Sequence, residues 1–319
     1  MLGWSMRVLG WLLGCVFFGS VLAFARPACN VNVIFQHAPK RSNNFERVLA
    51  KAEAGDVAAQ FQAGVAFESG AGTEQDFTEA VKWYQRAADA GHPSAQNNLG
   101  GMFLRGLGVA QNDSEALRWY LRAASEGYLP AQNNVGFMHA AGRGTQANDQ
   151  EAVRWYLKAA EKGYAPAQSN LAFMYSQGRG VAQDGAEAER WYKKAVDQNY
   201  APAEYKLGLL YYHGAVVRRD LAEALRWFHR AADHGLAAAE NEIAYLYEHG
   251  EGVAQNFVTA AQWYRKAAEH GLPEAKQNLA VLAARQSHTT HAGAEGEYSL
   301  PTGETSPRGD GFVSHQAPR

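Results

Sequence analysis

Tryptophan falls at positions 83, 119, 155, 191, 227 and 263, a spacing of 36 residues each time. Alanine keeps the same register at 59, 95, 131, 167, 203, 239 and 275, and glycine at 70, 106, 142, 178, 214 and 250. No other feature limits the fold as strongly. A chain that rewrites one short unit at a fixed period builds a linear array, because each unit buries its apolar face only against its neighbours. Six full units occupy 56–91, 92–127, 128–163, 164–199, 200–235 and 236–271, and a half unit runs over 272–285.

The unit at 92–127 reads as helix, turn, helix. Ala95, Leu99, Met102 and Phe103 recur at helical spacing and form one apolar face. Gly106-Leu107-Gly108 ends that helix, since glycine accepts the left-handed backbone that closes a helix. Asn112, with Glu115 three residues later, predicts the start of the second helix, both side chains covering free backbone N–H groups. The pair recurs as Asp76/Glu79, Asn148/Glu151, Asp184/Glu187 and Asp220/Glu223, and weakens to Asn256/Thr259. Ala116, Trp119, Ala123 and Ala124 give the second helix a buried stripe, and Gly127 stops it. Pro130, Pro166 and Pro202 fall where a first helix begins, a place that tolerates a missing N–H. The Trp-Tyr pairs, with Phe228 in the fifth unit, are expected in the core, each indole burying on the order of 200 Å2.

These residues carry a family resemblance. Ala95-Gln96, Leu99-Gly100, Gly106-x-Gly108-Val109, Ala116, Trp119-Tyr120, Ala123-Ala124 and Gly127, with their copies, make the chain similar to Sel1-like repeat proteins, relatives of the tetratricopeptide arrays. The resemblance implies an all-α fold, a right-handed α-solenoid of helix–turn–helix repeats. Some positions depart from the pattern. Gly214-Ala215-Val216 lacks the second turn glycine, Asn199 replaces a helix-ending glycine, and His139 replaces an aromatic residue. Ala172 and Ala244 stand where Gly64, Gly100, Gly136 and Gly208 stand in other units. A local bend is the expected consequence.

The ends are of a different kind. Residues 8–22 are apolar or small throughout, and Ala23-Phe24-Ala25 offers small residues where a signal peptidase reads. Cleavage after Ala25 is expected, with residues 1–25 as signal peptide and an exported, periplasmic or secreted product. The alternatives are an uncleaved N-terminal anchor, or lipidation of Cys15 within the lipobox-like Leu12-Leu13-Gly14-Cys15. No second apolar run of spanning length follows. Residues 26–55 hold an irregular segment and a capping helix over 43–54, with Asn43 and Glu46 as its expected N-cap and N3 residues. Residues 286–319 are poor in large apolar side chains and are expected to be disordered.

Composition excludes several chemistries. A formal net charge of -2 leaves no surplus to neutralise phosphates, so nucleic acid is not expected as a partner. Cys15 and Cys29 are too few for a disulfide framework or a cysteine-based zinc site. The Gly-x-Gly turns lack the preceding strand that a phosphate loop requires. The histidines show no metal-ligand spacing. Arg308-Gly309-Asp310 is integrin-like but too short to carry weight. No nucleophile constellation breaks the repeat, so neither catalysis nor a cofactor or metal is expected. A β-lactam-directed activity, known from cysteine-rich relatives, lacks its cysteine pair here.

Two surfaces remain. A basic ladder runs along the second helices as Lys82/Arg86, Arg118/Arg122, Arg154/Lys158, Arg190/Lys194 and Arg226/Arg230, ending in Lys266. It reads either as a track for an anionic glycan or as a solvated face paired with the Glu three residues earlier. The other surface lies on the first helices, opposite their core stripe, and corresponds to the concave lining of related solenoids. One row there holds Asn97, Asn133, Ser169, Tyr205 and Asn241. The next holds Phe137, Phe173, Leu209 and Tyr245, with Tyr212 nearby. Aromatic side chains flanked by Asn suit an extended peptide or a partner helix. The expected function is that of a monomeric, non-catalytic scaffold or adaptor that grips a protein partner there, with glycan binding or secretion assembly as the alternative.

Overall fold

A computed structural model describes residues 41–294, with side-chain surroundings through residue 285. The expected signal segment, Cys15, Cys29 and residues 295–319 lie outside the described residues. Every regular element among the described residues is an α-helix. Helix α1, Asn43–Glu53, caps the array. The first helices of the six units are α2 (Val57–Ser69), α4 (Pro93–Arg105), α6 (Leu129–Ala141), α8 (Ala165–Gln177), α10 (Ala201–His213) and α12 (Ala237–His249). The second helices are α3 (Phe77–Asp89), α5 (Asp113–Ser125), α7 (Asp149–Glu161), α9 (Gly185–Val196), α11 (Leu221–Asp233) and α13 (Phe257–Glu269). Helix α14, Pro273–Ala294, is the seventh first helix. Each helix packs on the one before and the one after, as an α-solenoid requires. No described helix is long and apolar enough to cross a membrane.

Helix starts and stops follow the local chemistry, with some corrections. Asp76, Asn112, Asn148, Asp184, Asp220 and Asn256 cap the second helices, each side chain accepting from the N–H three residues on. The Glu half of the expected capping box does not form. The cap residue's own N–H instead reaches back to the first helix, as Asn112 does to the Phe103 carbonyl. That frees Glu115 to pair with Arg118. At α1 the cap is Ser42, accepting from the Phe45 N–H at 3.1 Å, so Asn43 is the first helical residue and not the cap. The array's end also differs from expectation. Residues 286–294 continue α14, because neither proline nor an early glycine stops it after Arg285. Asn199 takes the left-handed backbone (φ 57°) that glycine takes elsewhere.

The core is a stripe of alanine on both helices, filled by one aromatic pair per unit. Ala95, Leu99 and Met102 of α4 meet Ala116, Tyr120, Ala123 and Ala124 of α5, all buried. The tyrosine ring lies flat on the glycine of its own first helix. A Cβ at Gly100 would stand 2.9 Å from the Tyr120 ring, and one at Gly136 2.7 Å from Tyr156. The indoles divide into two groups. Trp83, Trp119 and Trp191 are buried, whereas Trp155, Trp227 and Trp263 are half-buried. Buried glutamines tie unit to unit, since Gln96, Gln132 and Gln168 donate to the Ala88, Ala124 and Ala160 carbonyls ending the preceding second helix. These clips satisfy helix-end acceptors that would otherwise be orphaned in the core.

Trp119 tests the stack most cleanly. It is 2% exposed and its Nε1–H has no hydrogen-bond partner, so its contribution is packing together with the Arg122 guanidinium over its ring. Trp119→Ala should cost about 3–5 kcal/mol, read as a lowered urea midpoint. An unchanged midpoint would place the indole outside the core.

Candidate partner-binding groove

The first helices lie side by side and are stitched by asparagine. Asn134 donates to the Asn97 Oδ1 at 2.9 Å, Asn170 to Asn133 at 2.8 Å, and Asn278 to Asn241 at 2.9 Å. Asn97, Asn133 and Asn241 are half-buried and spend acceptors on the next unit. The asparagine row starts only at Asn97, since Phe61 holds that position in the first unit, and beyond it two rungs are missing, because positions 206 and 242 hold Lys and Glu. At the first gap Ser169 is 2% exposed, its Oγ without a partner, so it faces the core and not the groove.

The same gap coincides with the departure in the fifth unit. In a regular junction the second turn glycine lies against the first residue of the preceding second helix. A Cβ at Gly144 would overlap the Asp113 carbonyl, and one at Gly180 the Asp149 carbonyl. In the third and fourth units the arginine between the turn glycines then clamps the junction. Arg143 donates to Asp113 at 2.7 Å and to the Leu104 carbonyl at 3.1 Å. Arg179 does the same to Asp149 at 2.6 Å and the Ala140 carbonyl at 3.1 Å. The Arg143 guanidinium, hydrogen-bonded to Asp113, holds that carboxyl below the usual carboxylate range. In the fifth unit all three positions change together. Ala215 replaces the arginine, Gly185 the aspartate, and Val216 the turn glycine. The close approach survives with the roles exchanged, since a Cβ at Gly185 would overlap the Val216 carbonyl. The clamp does not survive, and α10 packs directly on α8 as well as on α9.

Two adjoining cavities open here, the larger where the clamp is absent and the smaller beside the intact Arg179 clamp. The larger, about 380 Å3, has Phe173 and Tyr192 on one side and Tyr205, Leu209, Leu210 and Val216 on the other. The smaller, about 300 Å3, lies between Phe137, Tyr156 and Phe173. Phe173 and Lys206 border both. Phe137 and Phe173 are 43% and 37% exposed, far above a core aromatic. The cavities therefore bring together Phe137, Phe173, Tyr205 and Leu209 of the expected site. Asn97, Asn133, Asn241, Tyr212 and Tyr245 do not line them. Tyr212 sits under the Arg219 guanidinium at 5.6 Å, and Tyr245 stacks on His249 at 4.1 Å. Lys206 is the residue that sequence reasoning passes over. Its ammonium lies 5.5 Å from the Phe173 ring centre, and burial pushes its pKa down. The signal available was the Asn98, Asn134, Asn170 row, broken by a cation at 206.

The basic ladder resolves into two rows with separate duties. Lys82, Arg118, Arg154, Arg190 and Arg226 pair with the Glu three residues earlier, at 2.5–3.0 Å. Arg86, Arg122, Lys158 and Lys194 lie over the tryptophan of their own unit, 4.0–4.6 Å from its ring centre. Cation–π contact and helix ion pairs account for the pattern without a polymer. The histidines gather no metal-ligand set among the described residues. His234 and His270 instead meet the fully buried Glu204 and Glu240 at 2.9 Å.

Comparison with known proteins agrees with this architecture. The pattern of the Sel1 repeat matches residues 57–92, 93–128, 129–164, 165–200, 201–236 and 237–272, one residue later than the units drawn from the sequence. A protective antigen of uropathogenic Escherichia coli with an SLR fold is 33% identical, with a TM-score of 0.63, over 75% of this chain and 51% of the antigen. The chain thus spans about half the length of that antigen. A Sel1 repeat protein from Oxalobacter formigenes is 28% identical, with a TM-score of 0.63, over 71% of this chain and 97% of its own. Among curated proteins nothing matches.

The exchanged glycine makes a sign prediction. Glycine to alanine at an unstrained site stabilises by about 0.4–1 kcal/mol. Gly185→Ala drives a methyl into the Val216 carbonyl and should instead cost about 1–3 kcal/mol. A thermal melt that rises for this variant would contradict the contact.

Proposed function

The chain belongs to the Sel1 repeat family, and from that premise we propose that it is a non-catalytic scaffold that grips a protein partner along its first-helix face, the concave side of the solenoid. One observation carries this reading: Phe137 and Phe173 stay exposed beside two cavities on a face that three Asn–Asn bonds partly stitch. Exposed aromatics that border a concavity are the usual anchors of a protein interface. Repeats of this family typically mediate protein interactions, which fits. The outer face offers less to a partner. Its cations are committed to Glu and Trp, which disfavours a glycan track. No cysteine lies in the repeats to support the β-lactam-directed alternative.

We place the protein outside the cytoplasm, exported by residues 1–25, because a charged start, an apolar run and Ala23-Phe24-Ala25 occur in the order a signal peptidase needs. Mass spectrometry of the protein from its native cell should find Arg26 at the N-terminus. A retained Met1 would favour the anchor, and an acylated Cys15 the lipoprotein.

A photo-crosslinking residue at 173 should yield a discrete protein adduct in the native cell. The same residue at 118, on the outer face, should yield none. Adducts from 118 alone would move the docking surface to the second helices.

A further inference from the structure

The two cavities beside Phe173 share a chemical asymmetry. No carboxylate lines either of them. Their charged or titratable cations are Lys206, Arg179 and His213. Arg179 is neutralised by Asp149 in a bidentate pair. His213 stands at the exposed end of α10, against the ring of Tyr212. Lys206 is different. It is half-buried, borders both cavities, and makes no ion pair or hydrogen bond among the described residues; its one contact is the face of Phe173. A cation on a π face still lacks the acceptors that water or a carboxylate would give its three N–H groups.

The repeat shows what this position does elsewhere. Asn134 and Asn170 occupy it in the third and fourth units and bond to Asn97 and Asn133 of the neighbouring first helix. Lys206 abandons that bond, leaves Ser169 Oγ unpartnered, and carries its charge to the rim between two apolar hollows. Desolvating a cation costs stability unless a counter-charge is supplied.

We infer that the groove around Phe173 docks an apolar peptide segment of a partner protein that carries an acidic side chain, its carboxylate pairing with Lys206 while flanking aliphatic or aromatic side chains fill the two cavities. This rests on the docking function proposed above and specifies the chemistry of the partner. Apolar filling supplies the affinity, and the buried-rim ion pair selects among segments of similar hydrophobicity, as desolvated charges do at interfaces. A carboxylate arriving on Lys206 also offsets the desolvation that pushes its pKa down.

The test is a selection from random twelve-residue peptides displayed on phage, using the purified protein as bait and a Phe137→Glu, Phe173→Glu double variant to remove binders of other surfaces. Circular dichroism melts check that every variant is folded. The expected winners carry Asp or Glu with large apolar residues on both sides. Their affinity should fall at least about tenfold on Lys206→Glu, the scale of one close ion pair, and hold within a few fold on Lys206→Arg. A second selection on Lys206→Glu should recover peptides with Lys or Arg at the acidic position. Winners that need Phe173 but carry no acidic residue and ignore Lys206→Glu would overturn the inference and leave the docking surface standing. Winners indifferent to Phe137 and Phe173, or no winners at all, would overturn the docking surface itself.

Discussion

The array depends on one backbone contact, the approach of each turn to the first residue of the preceding second helix. Gly108 lies on Phe77, Gly144 on Asp113, Gly180 on Asp149 and Gly252 on Leu221, too close in each case to admit a Cβ. Because carbonyl and amide atoms set this distance at Gly108, Gly144 and Gly180, and the Leu221 Cβ sets it at Gly252, successive units hold similar spacing with little dependence on longer side chains. The alanine stripe continues the same logic inside the unit. Small residues let the two helices approach, and the aromatic ring then fills the single gap that remains, lying on the glycine of its partner helix. Packing at interior density leaves little freedom at these positions. The sequence period is the record of that restriction.

Where the contact is inverted, the surface changes character. Moving the missing Cβ from the turn to Gly185 keeps the spacing but removes the turn arginine and its aspartate in one step. Arg143 and Arg179 reach across their junctions to first-helix carbonyls and cover the seam between units. Ala215 covers nothing, and the uncovered seam is the larger cavity. The altered turn and the broken asparagine row meet at the same junction. The change is therefore a local reshaping of the face, compensated for spacing.

Fold and site differed in how much of each could be read beforehand. Trp83 to Trp263 at one period, with the Asp/Asn caps, fixed helices to within a residue or so, because those positions answer to neighbours that are themselves repeated. The groove does not answer to the period. Asn97 and Ser169 share a register position, yet one bonds the next helix and the other is buried with no partner. Whether Phe173 is exposed depends on what stands at 206 and 215, two unrelated choices in the following unit. Lys206 was missed for the same reason, since on its own a lysine on a helix reads as solvated. Ser42 and Asn43 show the limit at helix ends, where adjacent polar residues compete for one cap and backbone direction decides.

The row of cations behind the tryptophans shows how one repeated residue type can change employment along the array. In the second and third units Arg122 and Lys158 rest on the indole and the buried position across the junction is a glutamine. In the fifth and sixth units that glutamine has become Glu204 and Glu240, both fully buried. The cation follows the charge: Arg230 stands 2.7 Å from Glu204, and at 5.6 Å it is farther from its tryptophan than the others. Lys266 reaches Glu240 at 3.1 Å while staying 4.7 Å from Trp263. Burying a carboxylate against a cation adds little net stability, but leaving it unpaired costs several kcal/mol. Each pair lies within one unit, joining Glu204 of α10 to Arg230 and His234 at α11, and Glu240 of α12 to Lys266 and His270 at α13. The buried carboxylate therefore holds the two helices of its own unit to each other, where the glutamines tie one unit to the next.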